Sequence, residues 1–295
     1  MFPYPFITYL SLVATMFLWG GTFIAGRILG TSMEPSVAAF LRFAVASVTL
    51  VFFLRIRHGH IPKPQKKNIL PLIFLGLTGI FSYNIFFFKG LQYIDAGRAA
   101  LIIAANPVVI ALCAAFFFKE KLTRTKICGV LLSFMSVIYV ISNGHLAEIL
   151  SGNFGVGEQA ILYCVASWTA YTLAGRKILT SMAPLTAVTF SCVFGTLFLF
   201  VPALQNGLLE TVVHLNTQDI LAIIYLGVGG TALGFWWYYE AIKKIGASKS
   251  AIFINLVPVF ALLLSHFLLG ETVKISVLIG GLFTLIGVTL TNKKQ

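Results

Sequence analysis

The 295-residue sequence is 58% hydrophobic and only 10% charged, yet carries a formal net charge of +12. A soluble domain needs roughly a quarter of its residues charged to cover its surface, so this composition excludes a water-solvated fold. The basic residues sit in short gaps between apolar runs and do not interleave with aromatics on a polar surface, which excludes a nucleic-acid partner and points to the lipid bilayer.

Hydropathy places ten spans, near 6–29, 36–54, 69–90, 97–118, 126–142, 157–176, 185–205, 219–241, 248–269 and 275–291. Continuous apolar runs of roughly 20 residues cross a bilayer as helices, whereas barrel strands alternate over about ten. The first run is too long for a signal-peptide core and lacks a basic segment before it. Pro35 and Pro184 suit first helical turns, and Asp219 stands where a cap belongs. Cys113, Cys128, Cys164 and Cys192 fall inside apolar runs without metal or redox spacing, and read as small buried hydrophobes.

With the N-terminus in the cytoplasm, the basic clusters at 55–67, 119–126, 176–177, 243–249 and 293–294 all fall inside. The outer side keeps only Arg27, Lys89, Arg98 and Lys274, and Arg42 lies within span two. The positive-inside rule therefore expects both termini in the cytoplasm of a bacterial-type inner membrane.

The chain repeats itself. Trp19–Ala38 aligns without gaps on Trp168–Ala187, pairing Ala25-Gly26-Arg27 with Ala174-Gly175-Arg176 and Pro35 with Pro184, at an offset of 149. Further on the offset is 151, placing Pro107 on Pro258, Glu120 on Glu271 and Gly129 on Gly280. Two halves follow, 1–145 and 146–295, and five spans in each would set them antiparallel in the membrane. The fold expected is all-α and integral to the membrane: ten transmembrane helices as two inverted five-helix repeats around a central cavity, an arrangement suited to alternating access.

The stretch Gly90-Leu-Gln-Tyr-Ile-Asp-Ala-Gly-Arg-Ala-Ala-Leu, then Asn106-Pro107, Phe118-Lys-Glu-Lys-Leu-Thr and Gly129, resembles the EamA repeat of the drug/metabolite transporter superfamily. The second half returns to it in Ala247-Ser-Lys-Ser-Ala, Pro258, Leu269-Gly-Glu-Thr and Gly280, and the chain resembles bacterial amino-acid and metabolite exporters most. That resemblance implies a carrier for a small molecule, working without cofactor or metal and sufficient as a monomer. It implies no enzymatic activity.

Polar and aromatic groups within spans are the candidate substrate contacts. Asn106 and Asn255 stand beside Pro107 and Pro258, whose missing amides leave the Ile103 and Ile254 carbonyls without helical partners. These kinks either line a cavity or pack against neighbouring helices. Trp19 and its mate Trp168, with Tyr171, Tyr83 and Asn84, lie deep enough to wall a pocket or to fill the core. Trp237 belongs to a cluster, 236–239, that reads as pocket or as interfacial belt. Arg42 either snorkels outward to Glu34 or holds a substrate carboxylate beside Lys89 and Arg98. No Asp or Glu occupies a span centre, which favours facilitated diffusion or exchange over a proton-coupled drug exporter. A channel or a membrane scaffold is the reading from other classes.

Overall fold

The computed structural model describes residues 4–118, 123–142, 155–245, 250 and 253–292, and these are helical with turns and no strand. Helix α1 (Tyr4–Ser32) turns sharply into α2 (Pro35–His58), whose first turn holds Pro35 as expected. Arg55, Arg57 and His58 complement the negative end of the α2 dipole, and Gly59 closes it at φ 72°, a left-handed conformation open to glycine.

The third run is not a uniform helix. It is α3 (Lys66–Leu75), a π-helical segment Gly76–Ser82, and α4 (Tyr83–Tyr93) in one continuous rod. The fourth is broken: α5 (Ala96–Ile103) stops, Ala104 and Ala105 form a turn, and α6 (Asn106–Phe118) restarts with Pro107 in its first turn. Then come α7 (Arg124–Ile141), α8 (Val156–Ile178) and α9 (Pro184–Gln205), followed by a short α10 (Leu208–Val213) that hydropathy does not predict. The eighth run repeats the third: α11 (Thr217–Ile224), a second π-helical segment Tyr225–Leu233, and α12 (Gly234–Ile245). Asn216 is its true cap, with Asp219 reciprocating from the third position. A 3₁₀ turn, Phe253–Asn255, leads into α13 (Leu256–Leu269), and α14 (Ile275–Asn292) completes the described residues. Glu120, Lys249 and the expected division at 145/146 lie outside them.

Six of these runs are long and apolar enough to cross a membrane by length and composition, with α13 and α14 as shorter apolar helices. Helices α7 and α8 occupy two expected spans without meeting that standard. The α8 sequence spends its length on Ser167, Trp168, Thr169, Tyr171 and Thr172; Ser167, Trp168 and Tyr171 meet the α3–α4 rod, while Thr169 and Thr172 bond carbonyls of their own helix.

Packing follows the sequence repeat. Helix α1 packs on α13 and on the α11–α12 rod, as α8 packs on α5–α6 and on the α3–α4 rod; α2 meets α9, and α7 meets α14. The correspondence reaches single atoms. A Cβ on Gly76 would stand 3.0 Å from the Ser191 carbonyl oxygen, and one on Gly227 would stand 3.0 Å from that of Arg42. Gly76 and Gly227 are repeat mates, and so are Ser191 and Arg42. Ser47 and Thr196, another pair of mates, hydrogen-bond to each other at 3.0 Å. Glycine at these crossings lets the backbones approach as side chains would not. Phe87 and Phe88 are buried here, while Phe116 and Phe117 face outward, so the two phenylalanine runs have different fates.

Candidate functional site

Arg42 sits seven residues into α2, about 10 Å from its start at 1.5 Å per residue. Its guanidinium turns inward. Nη1 donates to Asn84 Oδ1 at 3.1 Å and Nη2 to Thr231 Oγ1 at 3.4 Å, while Nε finds no acceptor among the described residues. The group lies 5.0 Å from the Phe43 ring centroid and 5.9 Å from that of Phe87. Snorkelling to Glu34 is thereby corrected: the inward acceptors hold the side chain. Arg98 does not join it either, being paired with Glu158 at 2.9 Å. Among the described residues no carboxylate pairs with Arg42.

An aromatic wall adjoins this cation. Tyr171 stacks on Trp168 with centroids 5.0 Å apart, Trp168 meets Tyr83 at 5.5 Å, and Tyr83 stacks on Phe87 at 5.9 Å. Tyr83 and Cys192 lie within electrostatic reach of Arg42, and Tyr239 within reach of Tyr171 and Cys192. Arg42, Tyr83, Trp168, Tyr171 and Tyr239 are all half-buried. The wall is asymmetric. Trp168 faces Tyr83, whereas its mate Trp19 faces the mate of Tyr83, Gly234, whose added Cβ would lie 2.6 Å from the indole nitrogen.

The remaining candidates part company. Trp19 donates its indole N–H to the Gly230 carbonyl at 2.9 Å and packs on Phe235 and Tyr238, beside the wall. Trp237 lies roughly 160–200° around α12 from Phe235 and Tyr239, by the 100° step of a helix, and so points away from that group. Asn255 donates to Thr289 on α14 at 3.4 Å, at the exposed edge. Asn106 is buried at the α6 restart, and its Oδ1 has no partner among the described residues. Pro107 and Pro258 each sit in the first turn of a helix, the first after the turn at Ala104 and Ala105, the second after the 3₁₀ turn Phe253–Asn255.

Thr231 was not singled out from sequence, Tyr239 stood there only as a member of the cluster 236–239, and Cys192 only as a buried hydrophobe. The repeat held a signal for Thr231, which follows Gly230, the mate of Gly79. Also unforeseen is a cavity of about 420 Å³ at the end of the bundle where α1 finishes, lined by Arg27, Ser32, Asp95, Asp219 and Glu271 among others. The Ser32 hydroxyl donates to Asp219 at 2.8 Å, and Arg27 donates to the Leu91 carbonyl. Glu271 accepts from the Ala96 and Gly97 amides at 3.0 and 3.4 Å, capping α5 across the two halves of the sequence. Glu271 therefore ties the end of α13 to the start of α5.

A multi-pass helical membrane protein with an internal cation and an aromatic wall is the form of a small-molecule transporter. The EamA-like transporter family profile matches residues 6–142 and again residues 155–293, and the chain belongs to that family. It is 30% identical to the uncharacterized transporter YyaM of Bacillus subtilis over 95% of this chain and 92% of that one. It is 27% identical to a probable terminal-alkyne amino-acid exporter of Streptantibioticus cattleyicolor, over 96% and 93% of the two chains. A solved crystal structure shares the fold at a TM-score of 0.62 and 19% identity, with 96% of each chain covered.

Proposed function

We propose that this transporter exports amino acids or related small metabolites bearing a carboxylate, by alternating access between two inverted halves, 1–145 and 146–295. The observation that carries the reading is Arg42: an intramembrane cation whose partners are neutral, with an unmet donor and an aromatic wall beside it. A charge inside the bilayer region is costly unless something pairs with it, and a substrate carboxylate is the group that fits. The wall of Tyr83, Trp168 and Tyr171 suits the apolar or aromatic body of such a molecule, or its ammonium over a ring face. A single guanidinium disfavours phosphorylated solutes, whose dianions call for further cations.

The matched contacts at Gly76 and Gly227, and the meeting of Ser47 with Thr196, support halves related by a two-fold axis. Five spans in each half make that relation antiparallel, with both termini cytoplasmic in the plasma membrane and one chain sufficient for transport. Among the described residues the carboxylates lie at helix ends or in turns, which supports facilitated diffusion or exchange. Counterflow in proteoliposomes with a panel of labelled L-amino acids tests the proposal. Saturable exchange that Arg42→Ala abolishes, with normal insertion, is expected. Flux that neither saturates nor depends on Arg42 would replace the carrier with a channel.

A further inference from the structure

The hydrogen bonds around Arg42 leave its two neighbours no freedom of role. A guanidinium has five N–H donors, a carboxamide two donors and one acceptor oxygen, and a hydroxyl one donor. Asn84 is 1% exposed and commits its amide protons to backbone, Nδ2 donating to the Ile80 carbonyl at 2.8 Å and to that of Gly79 at 3.5 Å. Its oxygen is therefore the only group it can offer Arg42, and the flipped amide would set donors against donors. Thr231, fully buried, spends its one proton on the Leu226 carbonyl at 2.8 Å, so it too can only accept.

These side-chain bonds end on carbonyls of the π-helical segments. Thr231 reaches Leu226, five residues back, and Asn84 reaches Ile80 and Gly79, four and five residues back. Leu226 and Thr231 lie inside Tyr225–Leu233, and Gly79 and Ile80 inside Gly76–Ser82, with Asn84 just beyond. One neutral oxygen within a π-segment and one just past the other, each fixed as an acceptor, thus reach one cation from opposite halves of the chain.

Resting on the reading of Arg42 as the substrate's anchor, we propose that Asn84 and Thr231 are positioning residues forming a charge filter. They fix the guanidinium in place and leave its positive charge uncompensated, so that the site selects molecules with one carboxylate over their neutral or purely cationic analogues. Carboxylates in these two places would also hold Arg42, but would cancel the charge that attracts the substrate. The neutral partners are therefore the source of the selectivity.

The test is binding and counterflow with a panel of L-amino acids, each paired with its C-terminal amide, which keeps the ammonium and lacks the carboxylate. Wild type is expected to prefer the acids. Asn84→Asp places a carboxylate on the guanidinium; affinity for the acids should fall about 10- to 100-fold, as expected for a lost charge-assisted contact, while the amides lose nothing. Thr231→Val removes the acceptor at nearly constant volume and should raise KM for the acids several-fold, and Thr231→Ser, which keeps the hydroxyl, should restore it. A merely structural role would weaken acid and amide alike. Wild-type preference for acids that survives unchanged in Asn84→Asp, or an unaltered KM in Thr231→Val, would overturn the filter alone. Failure of wild type to bind any of the acids would overturn the anchoring role of Arg42 and the filter with it.

Discussion

Replacing Gly76 by alanine tests the packing on which the paired halves depend. The added Cβ would lie 2.9 Å from the Gly195 amide nitrogen, 3.0 Å from the Ser191 carbonyl oxygen and 3.1 Å from Phe194 Cβ. An ordinary contact needs 3.4 Å or more. The nearest two atoms are backbone, so no side-chain rotation relieves the overlap and the rods must separate by roughly 0.4 Å. Overpacking of this kind costs about 1–3 kcal/mol, and alanine returns up to ~1 kcal/mol through its better helix propensity. The net loss of about 1–2 kcal/mol corresponds to a fall in Tm of roughly 2–8 °C in a chain of this size. Thermal unfolding in detergent, followed by tryptophan fluorescence, reads it directly. Gly175→Ala is the control, because its Cβ would meet only Leu75 Cδ2 at 3.9 Å; its Tm should hold or rise slightly. A Gly76→Ala protein melting at or above wild type, or a control falling as far, would refute the packing argument.

Trp19→Phe should lower Tm by a few degrees, since about 0.5–1.5 kcal/mol goes with the hydrogen bond to Gly230. Trp168→Phe should leave Tm nearly unchanged and move the KM measured by counterflow. Glu271→Ala removes the cap from the Ala96 and Gly97 amides and should cost about 1–2 kcal/mol, with Glu271→Gln recovering part of it in the same melt. A double-mutant cycle of Ser47→Ala and Thr196→Val should return a coupling of about 0.6 kcal/mol, as expected for hydroxyl pairs between helices in a membrane. Counterflow rates should be the same with and without a pH gradient; acceleration by the gradient would make the carrier proton-coupled.

The sequence located six of the rods well because each is a long apolar run, and its glycines, tryptophans and prolines recur at fixed offsets. It placed Arg42 and Trp168 within rods. Which groups meet was legible only in part. Trp237 and Phe235 are two residues apart in a run of aromatic residues, and hydropathy does not say which of those rings faces the neighbouring helix. The structure sets it through Trp19, which takes Phe235 and Tyr238 as ring neighbours. The π-segments left no readable trace, since Gly-Leu-Thr-Gly and Gly-Val-Gly-Gly-Thr suit several backbone paths. Asn84 was noticed as a polar group in a span, but Thr231 was not, because its part depends on a carbonyl five residues back. Arg42 lacked a settled partner for the same reason: its acceptors come from two distant rods.

The contact between Ser47 and Thr196 has a bearing on where specialised chemistry can arise. On a two-fold axis a residue looks at its own counterpart, so whatever stands there must tolerate a copy of itself. Hydroxyls do, because each both gives and takes a proton. A guanidinium does not, since two would repel. Arg42 and Ser191 stand five residues before Ser47 and Thr196 in the same two helices, and there one carries a charge while the other carries a hydroxyl. With a cation at position 42 and a hydroxyl at its counterpart 191, any anchor built on this pair is single.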